Sequence, residues 1–217
     1  MSHLTNRARE IHLGVRVEIV TVLWMIIEAA ISIGAGVSAS SALLIAFGLD
    51  SVIELISGAV LLWRLSLEAR GGDTEQVERA ERQAAWVVAI ALSLLCLYVL
   101  ATAIWGLVSR AHPEEAVVGI GMAAAAVLVM PVLGISKRRI AARIESGALR
   151  GDAASSFTCG YMAGAVLLGV GLNALLHWWW AEDVASLLFL FWLVGETREA
   201  FEEAGDRRRK ESGGNDN

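Results

Sequence analysis

Two acidic residues stand four positions apart in an otherwise apolar stretch of the sequence. Asp50 and Glu54 lie within residues 41–63, a run long enough to cross a bilayer as a helix. On a helix, this spacing places both carboxyl groups on one face, one turn apart. A charged side chain at mid-bilayer costs about 2.5–3.5 kcal/mol on insertion scales. The pair therefore predicts a bound cation, bound protons, or both.

Polar side chains in two other apolar segments are candidates to complete this site. Glu28 is an acid in the first segment, at a depth comparable to that of Asp50. The fifth segment carries polar residues at i, i+3 or i+4, and i+7, which places them on one stripe of a helix. If the second and fifth helices are neighbours, this stripe faces the acid pair. The stripe consists of Asp152, Ser155 or Ser156, and Cys159.

Carboxylate oxygens combined with a thiolate or hydroxyl group are typical ligands of a divalent transition metal such as zinc. Zinc accepts oxygen, nitrogen and sulfur ligands in a tetrahedron, whereas magnesium and calcium require six or more oxygens. A bound metal ion offsets the cost of burying the acids, and protons can replace it when it leaves. Because ligands must deprotonate to bind, this exchange would couple metal movement to proton movement.

Each of the additional candidates also has a purely structural interpretation. Glu28 alone is compatible with a protonated acid that packs between helices. Asp152 is close enough to Arg150 and to the start of its segment to be an N-terminal helix charge. Cys159 is compatible with a small apolar filler, and Cys96, with no polar neighbour in its segment, is expected to be one.

Composition and hydropathy predict an all-α protein that crosses the membrane several times. Of the 217 residues, 56% are hydrophobic and only 19% are charged, which is outside the range of soluble domains. Lysine and arginine concentrate in alternate loops and at the ends, so the positive-inside rule predicts cytoplasmic termini. Six apolar segments are long enough to span a bilayer: residues 14–36, 41–66, 84–108, 114–136, 149–176 and 182–201.

The same patterns predict three regions and a cell membrane location, with the lipid bilayer as a partner. We expect a cytoplasmic N-terminal segment (1–13), a six-helix transmembrane domain (14–203) and a disordered cytoplasmic tail (204–217). The net charge of −5 is spread over ends and loops, and we expect no nucleic acid partner. We expect no enzymatic activity either, because no nucleophile has a neighbouring histidine.

The residues of the second segment and those at the start of the sixth resemble the cation diffusion facilitator family. Asp50-Ser51-Val52-Ile53-Glu54 is similar to the family pattern Asp-Ser-x-x-Asp. Trp180-Ala181-Glu182-Asp183-Val184-Ala185 is similar to Trp-x-Asp-Pro-x-x-Ala. The resemblance covers residues 14–203 and implies six transmembrane helices with cytoplasmic termini. It also implies a metal site between the second and fifth helices.

The resemblance weakens in the fifth segment and after the sixth. When Asp152 is aligned with an early Asp of the family pattern, Ser155 and Cys159 occupy the places of its His and carboxylate ligands. We expect a short branch of the family without the C-terminal cytoplasmic domain. Any homodimer would then form through transmembrane helices.

The resulting hypothesis is a six-helix carrier that exports a divalent transition metal, zinc foremost, in exchange for protons. The metal is a transported substrate, and no permanent cofactor is expected. One alternative is a proton-coupled carrier of a non-metal cation, and another is a non-transporting membrane scaffold. The predicted metal-site residues are Asp50, Glu54, Asp152, Ser155, Cys159 and, as an auxiliary ligand or proton acceptor, Glu28.

Overall fold

Six α-helices make up the fold, as the hydropathy pattern predicts. The computed structural model describes residues 2–69, 75–110, 114, 116–144 and 146–214. In lipid, backbone polar groups must be satisfied within the chain, which is why long apolar segments form uninterrupted helices. The helices are α1 (Ser2–Ala39), α2 (Ala42–Ala69), α3 (Glu75–Ser109), α4 (Val117–Ile144), α5 (Gly147–Leu176) and α6 (Ala181–Gly214).

Within the described residues, five of these helices are long and apolar enough to cross a bilayer. Their apolar portions are Glu10–Ala39, Ala42–Leu67, Ala85–Ser109, Val117–Ile144 and Leu149–Leu176. The sixth helix is equally long but carries more acidic residues, including Glu182, Asp183 and Glu196. It nevertheless presents an apolar outer face, and Phe191 on that face is 75% exposed.

The last helix extends further than the sequence pattern indicates. α6 continues to Gly214, so residues 204–214 are helical where we expected a disordered tail. Residues 215–217 lie outside the described part of the chain, and the domain boundaries themselves stay predictions.

The six helices form a closed ring, and two of its members also contact each other across the middle. Going around the ring, the neighbours are α1, α2, α3, α6, α5 and α4, and α4 returns to α1. α2 and α5 also contact each other across this ring, which places their facing stripes at the centre of the bundle. Large apolar side chains fill much of the interior, among them Phe47, Met130, Met162 and Phe189.

A glycine in α2 allows α1 to approach the central pair closely. A Cβ atom at Gly48 would lie 2.9 Å from the Ile33 amide nitrogen and 3.1 Å from the Ala29 carbonyl oxygen. Only a residue without a side chain fits this backbone contact, and small residues commonly mediate such contacts between membrane helices. The contact brings the middle of α1 beside Asp50.

Polar contacts hold together the end of the bundle at which α2 and α6 begin and α5 ends. The Ser41 hydroxyl group, at the start of α2, donates to Glu182 Oε2 over 2.5 Å. Asn173 Nδ2, near the end of α5, donates to Glu182 Oε1 over 3.0 Å. Both oxygens of this buried carboxyl group are therefore engaged in holding three helices together, a structural role.

Candidate metal centre

The central pair of helices brings together two carboxyl groups and a thiol. Asp50 and Glu54 lie on α2, and Cys159 lies on α5. One potential ligand atom from each residue can be chosen so that all three atoms lie within 4.8 Å of one another. All three residues are buried, with exposures of 0%, 8% and 0%. We refer to Asp50, Glu54 and Cys159 as the trio.

Ser155 links the two helices at the level of the trio. Its hydroxyl group donates to Glu54 Oε1 over 2.6 Å. The neighbouring Ser156 instead donates to the backbone carbonyl of Asp152, one turn back on its own helix. The structure thus selects Ser155 from the two serines that the sequence pattern left open.

Glu28 reaches the trio from α1. Its Oε1 accepts a hydrogen bond of 2.8 Å from Ser51 of α2. The same oxygen lies 3.6 Å from Cys159 Sγ, which donates to it. Its Oε2 accepts a 2.6 Å hydrogen bond from the indole nitrogen of Trp24. Three helices therefore meet at this carboxyl group, and it directly contacts one member of the trio.

Several carboxylate oxygens at the site have no hydrogen-bond partner in the part of the chain that the structure describes. Among the described residues, none bonds to either side-chain oxygen of Asp50 or to Oε2 of Glu54. Leaving such oxygens buried is costly unless they gain a proton or a cation. In a tetrahedral zinc site, ligand atoms lie about 3.3–3.5 Å apart, given metal–ligand bonds of about 2.0–2.3 Å. The ligand atoms of the trio lie within 4.8 Å of one another, so shortening these separations by about 1.5 Å through side-chain rotation would give such distances.

Asp152 is not part of the trio, although it lies on the same stripe of α5 as Cys159. Its carboxylate pairs with the ammonium group of Lys137 on α4. Asp152 precedes Cys159 by seven residues, which is about 10 Å along a helix axis, so the two side chains share a stripe but not a site. The ligand atoms that lie within 4.8 Å of one another therefore come from the trio, and Asp152 pairs with Lys137 instead.

The structure also adds charged residues that sequence reasoning missed. The carboxyl group of Glu196 on α6 interacts electrostatically with both Asp50 and Glu54. Glu18 falls inside the first apolar segment, but its significance emerges only from its partner, Lys137. Lys137 directly follows the fourth predicted segment (114–136), and the structure places it as a fully buried residue of α4.

A ring of membrane-spanning helices around buried carboxyl groups and a thiol is the architecture of a membrane cation carrier. Residues 19–207 match the cation efflux transmembrane domain, and the chain belongs to this family, the cation diffusion facilitators. No protein with a curated description matches the chain. The chain is thus a multi-pass membrane protein of a family of metal cation transporters, and the family prediction is confirmed.

Proposed function

We propose that the protein exports a divalent transition metal, with Zn²⁺ as the principal substrate, in exchange for protons. The supporting observation is the buried trio, whose ligand atoms lie within 4.8 Å of one another between α2 and α5. In this proposal Asp50 and Glu54 bind the ion, and Cys159 supplies the third ligand. Glu28 acts as an auxiliary ligand or proton acceptor, and Ser155 orients Glu54.

The donor set favours zinc over the abundant hard cations. A thiolate is a soft ligand that suits Zn²⁺ and its heavier relatives, whereas Mg²⁺ and Ca²⁺ prefer all-oxygen sites. Three protein ligands leave one tetrahedral position, which Glu28 or a water molecule can supply. A site with an incomplete protein ligand set suits a carrier, because the ion must leave as well as enter.

Proton exchange follows from the chemistry of the same ligands. A thiol and carboxyl groups release protons when they coordinate a metal ion and regain them when it departs. Without either, unpaired negative charge would remain in a region from which water is largely excluded. Alternating access would therefore carry the metal in one direction and protons in the other.

The charge distribution of the loops gives the orientation of the protein, and this orientation with the proton gradient gives the direction of transport. Basic residues cluster at the end of the bundle that carries both termini, and the positive-inside rule assigns that end to the cytoplasm. In the cell membrane, a proton gradient directed inward would then drive metal outward. Any homodimer would form through the apolar outer faces of the helices, where Val108 and Leu175 are 77% and 80% exposed.

Membership of a metal cation transporter family favours this proposal over the two alternatives. A carrier of non-metal cations has no need for a thiol beside two carboxyl groups. A scaffold whose acids merely pair between helices would not leave three oxygens of Asp50 and Glu54 without partners among the described residues.

Transport into vesicles tests the proposal. The purified protein is reconstituted into vesicles with an acidic lumen, and Zn²⁺ uptake is followed with a trapped indicator. Protons leaving the lumen should drive Zn²⁺ inward, and a protonophore should slow the uptake several-fold. A Zn²⁺ uptake rate that is the same with and without the proton gradient would contradict antiport. Absence of uptake for every divalent transition metal would contradict the proposal as a whole.

A further inference from the structure

A second group of buried charges lies between the trio and the end of the bundle at which α1 begins. Lys137 Nζ lies 3.2 Å from Glu18 Oε2 and also pairs with Asp152. Glu18 and Lys137 are both 0% exposed, and the three residues belong to three different helices. We refer to Glu18, Lys137 and Asp152 as the charged triad.

The charged triad lies next to the site on the two central helices, α2 and α5. Asp152 lies one turn from Ser155, the residue that holds Glu54. On α2, a Cβ at Gly58 would lie 3.0 Å from Glu18 Oε1, and Gly58 is one turn from Glu54. The carboxyl groups of the charged triad are therefore about one helical turn from Glu54, the member of the trio on the side that is cytoplasmic in the proposed orientation.

The charged triad holds a cation but does not use all of its ligand atoms. Two carboxyl groups face one ammonium group, so a single positive charge is shared between them. Glu18 Oε1 is fully buried and has no hydrogen-bond partner among the described residues. A buried charge group normally acquires a complete set of partners. A divalent cation would satisfy both carboxyl groups, whereas an ammonium group satisfies them only in part.

We propose that Glu18 and Asp152 form a second binding site for a divalent metal ion, which the ammonium group of Lys137 occupies in this conformation. An ion arriving from the cytoplasm would take this site as Lys137 withdraws, and then pass to the trio one turn further in. Multiple weak sites in series allow an ion to move because no single site holds it too tightly. The inference rests on the proposed metal transport.

Lys137 would also hinder other cations from binding to Glu18 and Asp152 while no divalent metal ion is bound there. Its long flexible stem allows the charged end to move while the helix stays in place. While the ammonium group lies between the carboxyl groups, it occupies the oxygen atoms that another cation would need as ligands. Competition between the tethered cation and the arriving ion then sets the affinity of the second site.

Calorimetric titration with Zn²⁺ tests the second site in the purified full-length protein. The wild type should show one tighter event at the trio and one weaker event at the charged triad. Lys137→Met removes the competing cation, so it should tighten the weaker event at least tenfold. Glu18→Gln removes a ligand and should abolish the weaker event while leaving the tighter one within about twofold.

Two matched variants control for general effects of charge. Lys137→Arg keeps the tethered cation and should leave the second event weak. Arg143→Met removes another α4 cation, whose Nη1 lies 3.0 Å from Glu10 Oε1 on α1 in an exposed pair, and should change neither event.

Three outcomes would overturn the inference. They are a wild type without a second event at millimolar Zn²⁺, a second event retained by Glu18→Gln, and a folded Lys137→Met variant with unchanged affinity. If Lys137→Met does not fold, the comparison of the wild type with Glu18→Gln decides. A protein that binds Zn²⁺ only at the charged triad would contradict the proposed role of the trio and leave this inference standing.

Discussion

The hydroxyl group of Ser155 donates a hydrogen bond to Glu54 Oε1 over 2.6 Å, and this bond joins the two central helices. It holds one oxygen of the carboxylate against α5. The other oxygen, Oε2, has no partner among the described residues and is available to a ligand. In the proposed site, Ser155 would therefore position Glu54 as a ligand without being required to bind the metal itself.

Removal of this hydroxyl group should weaken metal binding moderately. In Ser155→Ala, Glu54 loses its donor, and the loss of one such hydrogen bond is worth about 1–3 kcal/mol. We therefore expect the Zn²⁺ dissociation constant to rise about 5- to 150-fold. Ser156→Ala is the matched control, because that hydroxyl group bonds only to its own helix backbone. Equal effects of the two substitutions in calorimetry would contradict a positioning role for Ser155.

Replacement of the thiol should change which metals bind. Cys159→Ser substitutes a hard oxygen for a soft sulfur while keeping a similar volume. We expect Cd²⁺ and Zn²⁺ affinities to fall at least tenfold, whereas the affinity for Mn²⁺ should change less than threefold. Competition titrations with the three metals measure this difference.

Cys96→Ser controls for the loss of a thiol outside the trio. Cys96 Sγ lies 3.4 Å from Thr197 Oγ1 and does not belong to the trio. Its substitution should leave the order of metal preference unchanged. A Cys159→Ser variant with the wild-type order would remove sulfur from the proposed ligand set.

A methyl group at Gly48 should disturb the position of α1. The added Cβ in Gly48→Ala would meet the backbone at Ile33, and overpacking of this kind costs about 1–3 kcal/mol. Thermal unfolding in detergent should show a lower melting temperature, and Zn²⁺ binding should weaken because Glu28 shifts. Gly34→Ala is the control, since a Cβ there meets nothing within 4 Å. Equal melting temperatures for the two variants would contradict the close approach.

The helices and the acid pair could be predicted from the sequence because both depend on local periodicity. A spacing of four on a helix fixes Asp50 and Glu54 on one face whatever the rest of the fold does. The position of Cys159 opposite them required only that α2 and α5 be neighbours, which the family resemblance implied. Local geometry and one topological assumption were therefore sufficient for the trio.

The charged triad could not be predicted in this way because its partners come from three helices. Lys137 stands at the edge of a predicted span, where a lysine usually extends toward the interface. Its burial depends on Glu18 and Asp152 lying within reach on neighbouring helices, which no spacing within α4 encodes. The spacing in α5 predicts which face of the helix carries Asp152. It does not predict which residues of the neighbouring helices lie beside Asp152 on that face.

Loss of the first carboxyl group of α2 tests the proposed transport most directly. Asp50→Ala removes a proposed ligand whose two oxygens are buried and have no hydrogen-bond partner among the described residues. Proteoliposomes with an acidic lumen should take up Zn²⁺ at least a hundredfold more slowly with this variant than with the wild type. Glu10→Ala, which removes a half-buried acid that pairs with Arg143 outside the trio, should transport normally. Full Zn²⁺ uptake by a folded Asp50→Ala protein would contradict a metal pathway through the trio.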